Sequence, residues 1–91
     1  MTASSARDAA HREIDALAGR ARWRDAARAS AHDVVTATAA GTTGPREIAQ
    51  RYRTVAKSLN RADRARLWQI VRRVANRGLR DFLDRVYRNE L

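Results

Sequence analysis

The chain has 91 residues, with 19 Lys and Arg against 10 Asp and Glu and a formal charge of +9; this describes one small domain with a thin core and an affinity for polyanions. It has no cysteine, which excludes disulfides and thiolate zinc sites, and its two imidazoles, His11 and His32, fall short of the four ligands of a structural zinc. No apolar stretch approaches the ~20 residues of a membrane span, and the early acids Asp8, Glu13 and Asp15 argue against a targeting peptide, so a cytoplasmic protein with no metal or cofactor is expected.

Strong helix formers dominate, and no segment alternates apolar and polar residues with a period of two. The expected fold is all-α, a compact bundle of four to five helices in a single domain over residues 1–91, with 1–5 disordered. Ser5 followed by Asp8 reads as a helix start. The helix it opens carries Ile14, Leu17, Ala21 and Trp23 toward the core, with alanine filling much of the rest. Ser30 followed by Asp33 repeats the start pattern and predicts a break near Ala29. Val34, Val35 and Thr38 then face inward until Gly41.

Gly41-Thr42-Thr43-Gly44 is the clearest loop, and Pro45 with Glu47 opens the next helix. Ile48, Tyr52, Val55 and Leu59 give it one apolar face. Asn60 with Asp63 caps a further helix with the stripe Leu67, Ile70, Val71 and Val74. At about 100° per residue, the later stripe of Leu79, Phe82, Leu83 and Val86 points a quarter-turn away. A break at Asn76-Arg77-Gly78, with Gly78 as the C-terminal cap, resolves the change of phase.

The charge is uneven: residues 42–91 carry a formal +8 and residues 1–41 only +1. Arg46, Arg53 and Lys57 share i, i+7, i+11 spacing, as do Arg66, Arg73 and Arg77, so each set lies on one helical face. Phosphates would relieve the repulsion along such a face, and the guanidinium fork suits them. With Arg80, these are the candidate nucleic-acid-binding residues. Eighteen of the nineteen cations are arginine; with the abundant alanine, this equally fits a GC-rich bacterial or phage genome.

Pro45–Ala56 opens like a helix-turn-helix, with Glu-Ile-Ala near its start. Arg53-Thr54 stands where that motif's turn carries glycine, and the apolar spacing runs on to Leu59, so one straight helix fits better. In the motif, Asn60, Arg61 and Arg64 would reach base edges. The glycine-flanked loop before Pro45 lacks the lysine of a phosphate-binding loop and reads as an ordinary turn. Trp23, Trp68 and Tyr87 are possible interface residues. Core packing is the default for Trp68, whereas Trp23, between Arg22 and Arg24, suits a partial core position, an oligomer contact or base stacking.

No catalytic constellation stands out, because His32 and Asp33 are adjacent and diverge on a helix, so an enzyme is not expected. Asp81 and Asp84, flanked by Arg77, Arg80, Arg85 and Arg88, read as surface ion pairs. The expected function is nucleic-acid binding, DNA rather than RNA, mainly through backbone phosphates in an accessory or regulatory role. The alternative is a protein–protein module, such as an inhibitor, adaptor or assembly subunit, docking on an acidic surface. The alanine-rich first helix could pair with its copy in a homo-oligomer. The basic, amphipathic C-terminal helix would attract anionic lipid, but its apolar face suits the core, so no membrane partner is expected.

Overall fold

Arg22, Gly41, Ser58 and Ala75 mark the turns between five helices: α1 (Ala3–Ala21), α2 (Asp25–Ala40), α3 (Pro45–Ala56), α4 (Arg61–Val74) and α5 (Arg77–Glu90). The structure, a computed structural model, describes the backbone of residues 3–90 and the side chains of residues 6–86 and 88. Met1 and Thr2, part of the segment expected to be disordered, lie outside the described residues. The Ser5 start is corrected, since α1 already begins at Ala3.

The first break lies at Arg22, not near Ala29. Arg22 adopts φ 55°, a left-handed conformation, and the Trp23 N–H donates to the Ala18 carbonyl at 3.0 Å. That bond closes a Schellman turn, which normally carries glycine at the Arg22 position. Ser30 therefore lies inside α2, which starts at Asp25 with an acid in its first turn. Gly41, at φ 72°, ends α2 in the same left-handed way.

Helix α3 starts with Pro45 in its first turn and runs unbroken to Ala56. Bonds from Ser58 N–H to the Val55 carbonyl and from Leu59 N–H to the Ala56 carbonyl, both 3.0 Å, tighten the exit and carry Leu59 into the core. Asn60 Oδ1 accepts from the Asp63 N–H at 2.8 Å and caps α4. The later break falls at Ala75-Asn76. Its cap differs from expectation: Asn76 Oδ1 accepts from the Leu79 N–H at 2.9 Å and starts α5, while Gly78 sits inside that helix.

α1 packs on α2 and α4, α2 also on α3 and α4, and α3 on α5. The framework is 18 Å thick in its shortest direction and 32 Å in the other two, room for two helix layers. Ile14, Val34, Val35, Ile48, Leu67, Val71 and Leu83 are fully buried at the centre, each contributing roughly 1.5–3 kcal/mol relative to exposure. Thr38 is buried with them, its hydroxyl donating to the Val34 carbonyl at 2.7 Å. Ala21 is exposed, contrary to its expected inward role. Of the α1 alanines, Ala10 and Ala18 are buried, whereas Ala6 and Ala16 are exposed. Among the described residues, no helix is long and apolar enough to cross a membrane.

Candidate nucleic-acid interface

Two pairings place α1 antiparallel to α4. Arg73 Nη1 donates to Glu13 Oε1 at 2.6 Å, and two turns along α1, Arg20 lies opposite Arg66 across a shared hollow. The hollow, about 270 Å³, is floored by Leu17 and Ile70. Glu13 also lines it but is engaged by Arg73. Arg20 and Arg66 are both exposed, and neither has a carboxylate partner among the described residues. Two facing guanidinium groups repel each other and favour an anion between them.

A second hollow, about 420 Å³, adjoins the first. It lies where the α1–α2 turn meets the α3–α4 turn and is lined by Arg22, Trp23, Arg24, Ser58, Asn60 and Asp63, among others. Asp63 in this hollow and Arg66 in the first are one helical turn apart on α4. Trp23 is half-buried against the core. Its indole Nε1–H donates to Asp63 Oδ2 at 3.2 Å, fixing the ring's rotation. Arg22 and Arg24 are exposed on either side of it.

The two predicted arginine stripes share neither hollow. Arg46, Arg53 and Lys57 are exposed on α3, which packs on α2 and α5, and none of them lines either hollow. Arg66 and Arg73 share the α1–α4 hollow, but Arg73 is held by Glu13. That carboxylate lies 60 residues away in sequence, so helical spacing within α4 gave no sign of it. Arg77 leaves the stripe because α4 ends at Val74, and i, i+11 spacing has meaning only within one helix. Arg80 is turned inward: its Nη2 donates to the Ala75 carbonyl at 3.3 Å, and its Nε is buried without a hydrogen-bond partner among the described residues. It braces the α4–α5 turn and is poorly placed to reach phosphate.

Trp68 is a core residue, 4% exposed, with its ring edge-on to Tyr52 at 5.6 Å and 67°. That burial corrects its candidacy as an interface residue. Tyr87 belongs to α5, but its side chain lies outside the described residues. The helix-turn-helix reading fails at Arg53-Thr54, where α3 continues without a turn. Asn60 Oδ1 is committed to its cap. The Asp84 carboxylate pairs with Arg72 of α4 at 3.1 Å, while Arg88 of α5 reaches only the Asp84 backbone carbonyl, at 3.5 Å.

The sequence reading placed Trp23 between Arg22 and Arg24 but left both, with Arg20, out of the candidate binding residues. It judged the N-terminal half by net charge, whereas Glu13 is engaged by Arg73, and Asp15 by Arg28 and His32. It also considered His11 and His32 together only as too few for a structural zinc. They meet on the α1–α2 face, with His11 Nδ1 2.6 Å from His32 Nδ1. His32 Nε2 donates to Asp15 Oδ1 at 2.7 Å, and Arg28 Nε donates to the same oxygen at 2.8 Å. With both rings neutral and Nε2 of His32 as the donor, its Nδ1 accepts from the His11 Nδ1–H, which leaves His11 Nε2 as the basic nitrogen of the pair.

Burial, then the proximity of His32 and Arg7, lowers the His11 pKa, partly countered by Asp8 and Asp15. The hydrogen bonds from His32 and Arg28 lower that of Asp15. Neither histidine lines either of these two hollows. Among the described residues, no three His, Cys, Asp or Glu side chains converge as metal ligands. No protein-family model, curated protein or solved structure matches the chain.

Proposed function

We propose that this chain binds nucleic acid as an accessory or regulatory factor, through the surface formed by α1, the α1–α2 turn and α4. The observation that carries the reading is the facing pair Arg20 and Arg66, two guanidinium groups across one hollow with no carboxylate partner among the described residues. Arg22 and Arg24 extend the cationic rim around the adjoining hollow, and the formal charge of +9 gives the long-range attraction. Contacts of this kind grip backbone phosphates and position the strand; they carry little base information.

The test is fluorescence polarisation with a labelled oligonucleotide at two salt concentrations. The Arg20→Glu/Arg66→Glu double variant should lose affinity at least about tenfold and show a shallower salt slope, roughly 0.7–0.9 less per lost phosphate contact. Reversing Arg46 and Lys57 on α3 should have a much smaller effect. Equal affinity in the first variant, with its helical circular dichroism intact, would remove this surface from the reading. A nucleic-acid-free preparation that captures one stoichiometric acidic protein would instead assign the surface to protein docking.

A further inference from the structure

We infer that the Trp23 hollow receives one unstacked base of a single-stranded nucleic acid, which rests on the nucleic-acid reading above and adds the class of ligand. At about 420 Å³, the hollow falls within the ~300–1,000 Å³ of small-ligand pockets. The indole is set before any ligand arrives: the Schellman turn fixes its backbone, and the bond to Asp63 Oδ2 fixes its ring. A ring already ordered loses little entropy when a base stacks on it. Arg22 and Arg24, next to Trp23 in sequence, supply cations for the phosphates on either side of that base.

Asp63 decides which part of a nucleotide points inward. Its carboxylate repels phosphate, while Oδ1, not used by the indole, can accept an N–H from a base edge. The base therefore enters and the phosphates stay at the arginine rim. In a duplex, each base is stacked on both faces and its pairing edge is occupied. Only a single strand, or an opened end, presents what this hollow takes. The Arg20–Arg66 hollow lies next along α4 and offers the neighbouring phosphate a seat.

The test compares a fluorescein-labelled ten-nucleotide single strand with a duplex of equal length. Unaltered protein should bind the single strand more tightly. Trp23→Leu keeps apolar bulk but removes the stacking surface; it should weaken single-strand binding roughly 10- to 100-fold and leave duplex binding within about twofold. Trp23→Phe should recover most of the loss. A folded Trp23→Leu variant with unchanged single-strand affinity overturns the base site, and if Arg20→Glu/Arg66→Glu still abolishes binding, the broader reading stands. Absence of binding to either oligonucleotide by the unaltered protein sinks both. Should Trp23→Leu fail to fold, tryptophan emission of the unaltered protein decides: saturating single strand should quench it, and unchanged emission overturns the inference.

Discussion

His11 and His32 meet Nδ1 to Nδ1 at 2.6 Å, their rings 4.8 Å apart and inclined by 28°. One nitrogen must supply the proton and the other the lone pair, so the contact survives one added proton but not two. Around it stand Arg7, Asp8 and Asp15 of α1 and Arg28 of α2. Because the His11 pKa is lowered in the fold, the unfolded chain takes up its proton first as the pH falls. The resulting stability is fully present above about 6.5 and is lost as the pH drops from there through the lowered value. Urea unfolding at pH 7.5 and 5.5 should show weaker stability at the lower pH, and His11→Gln should flatten the difference. An unchanged slope in the variant would remove His11 as its source. Asp15, also lowered, adds a separate loss at more acid pH, below its ordinary 3.8.

The two asparagine caps should behave alike although they sit at different turns. Asn60 bonds the Asp63 N–H at 2.8 Å and Asn76 the Leu79 N–H at 2.9 Å. Replacing either by alanine leaves a helix N–H without its partner and should cost about 1 kcal/mol. In a domain of this size that lowers the melting temperature by roughly 4–8 °C. Asn60→Asp and Asn76→Asp should retain most of the stability, because a carboxylate also accepts from the amide and suits a helix N-terminus. A melting temperature unchanged by either alanine variant would show that the cap is not contributing.

Such caps explain which parts of the fold were legible in the sequence. Asn60 with Asp63, Pro45 after Gly44, and Gly41 all act within a few residues of themselves, so local spacing placed α3 and the ends of its neighbours. The Asn76 break was located from the phase of the apolar stripes, but its cap was assigned to Gly78, the usual helix terminator, whereas Asn76 bonds the Leu79 N–H. The Arg22 turn left no local sign: backbone bonds close it, and its left-handed residue is not glycine. The site was less legible still. Arg73 meets Glu13 and Arg20 faces Arg66 only after α1 lies antiparallel to α4, and His11 meets His32 only through the turn that sequence reading had put elsewhere.

Arg72 and Asp84 join α4 to α5 by a two-pronged bond, Nε to Oδ1 at 3.1 Å and Nη2 to Oδ2 at 3.3 Å. Both groups keep substantial solvent contact, at 42% and 25% side-chain exposure, so their coupling should be modest, about 0.5–1 kcal/mol. A double-mutant cycle of Arg72→Ala and Asp84→Ala, followed by urea unfolding, measures it. Arg72→Lys should recover only part of the coupling, since an ammonium cannot make the paired contact. The expected coupling should shrink in high salt; a value of zero at low salt would make the pair a spectator.

Arg22 is where stability and the proposed function pull apart. Its left-handed backbone at φ 55° costs a non-glycine residue about 1–2 kcal/mol, and glycine at a helix C-terminus avoids most of that cost. Part of the gain is returned through the greater freedom of glycine in the unfolded chain. Arg22→Gly should therefore stabilise the fold by about 0.5–1 kcal/mol, seen as a melting temperature raised by a few degrees. The same substitution removes one cation from the rim of the Trp23 hollow. Single-strand affinity should fall, and the salt slope should become shallower by roughly 0.7, one phosphate contact. A variant that melts higher and binds equally well would show that Arg22 shapes the turn without touching the strand. One that melts lower would show that its side chain, and not its backbone, holds the turn.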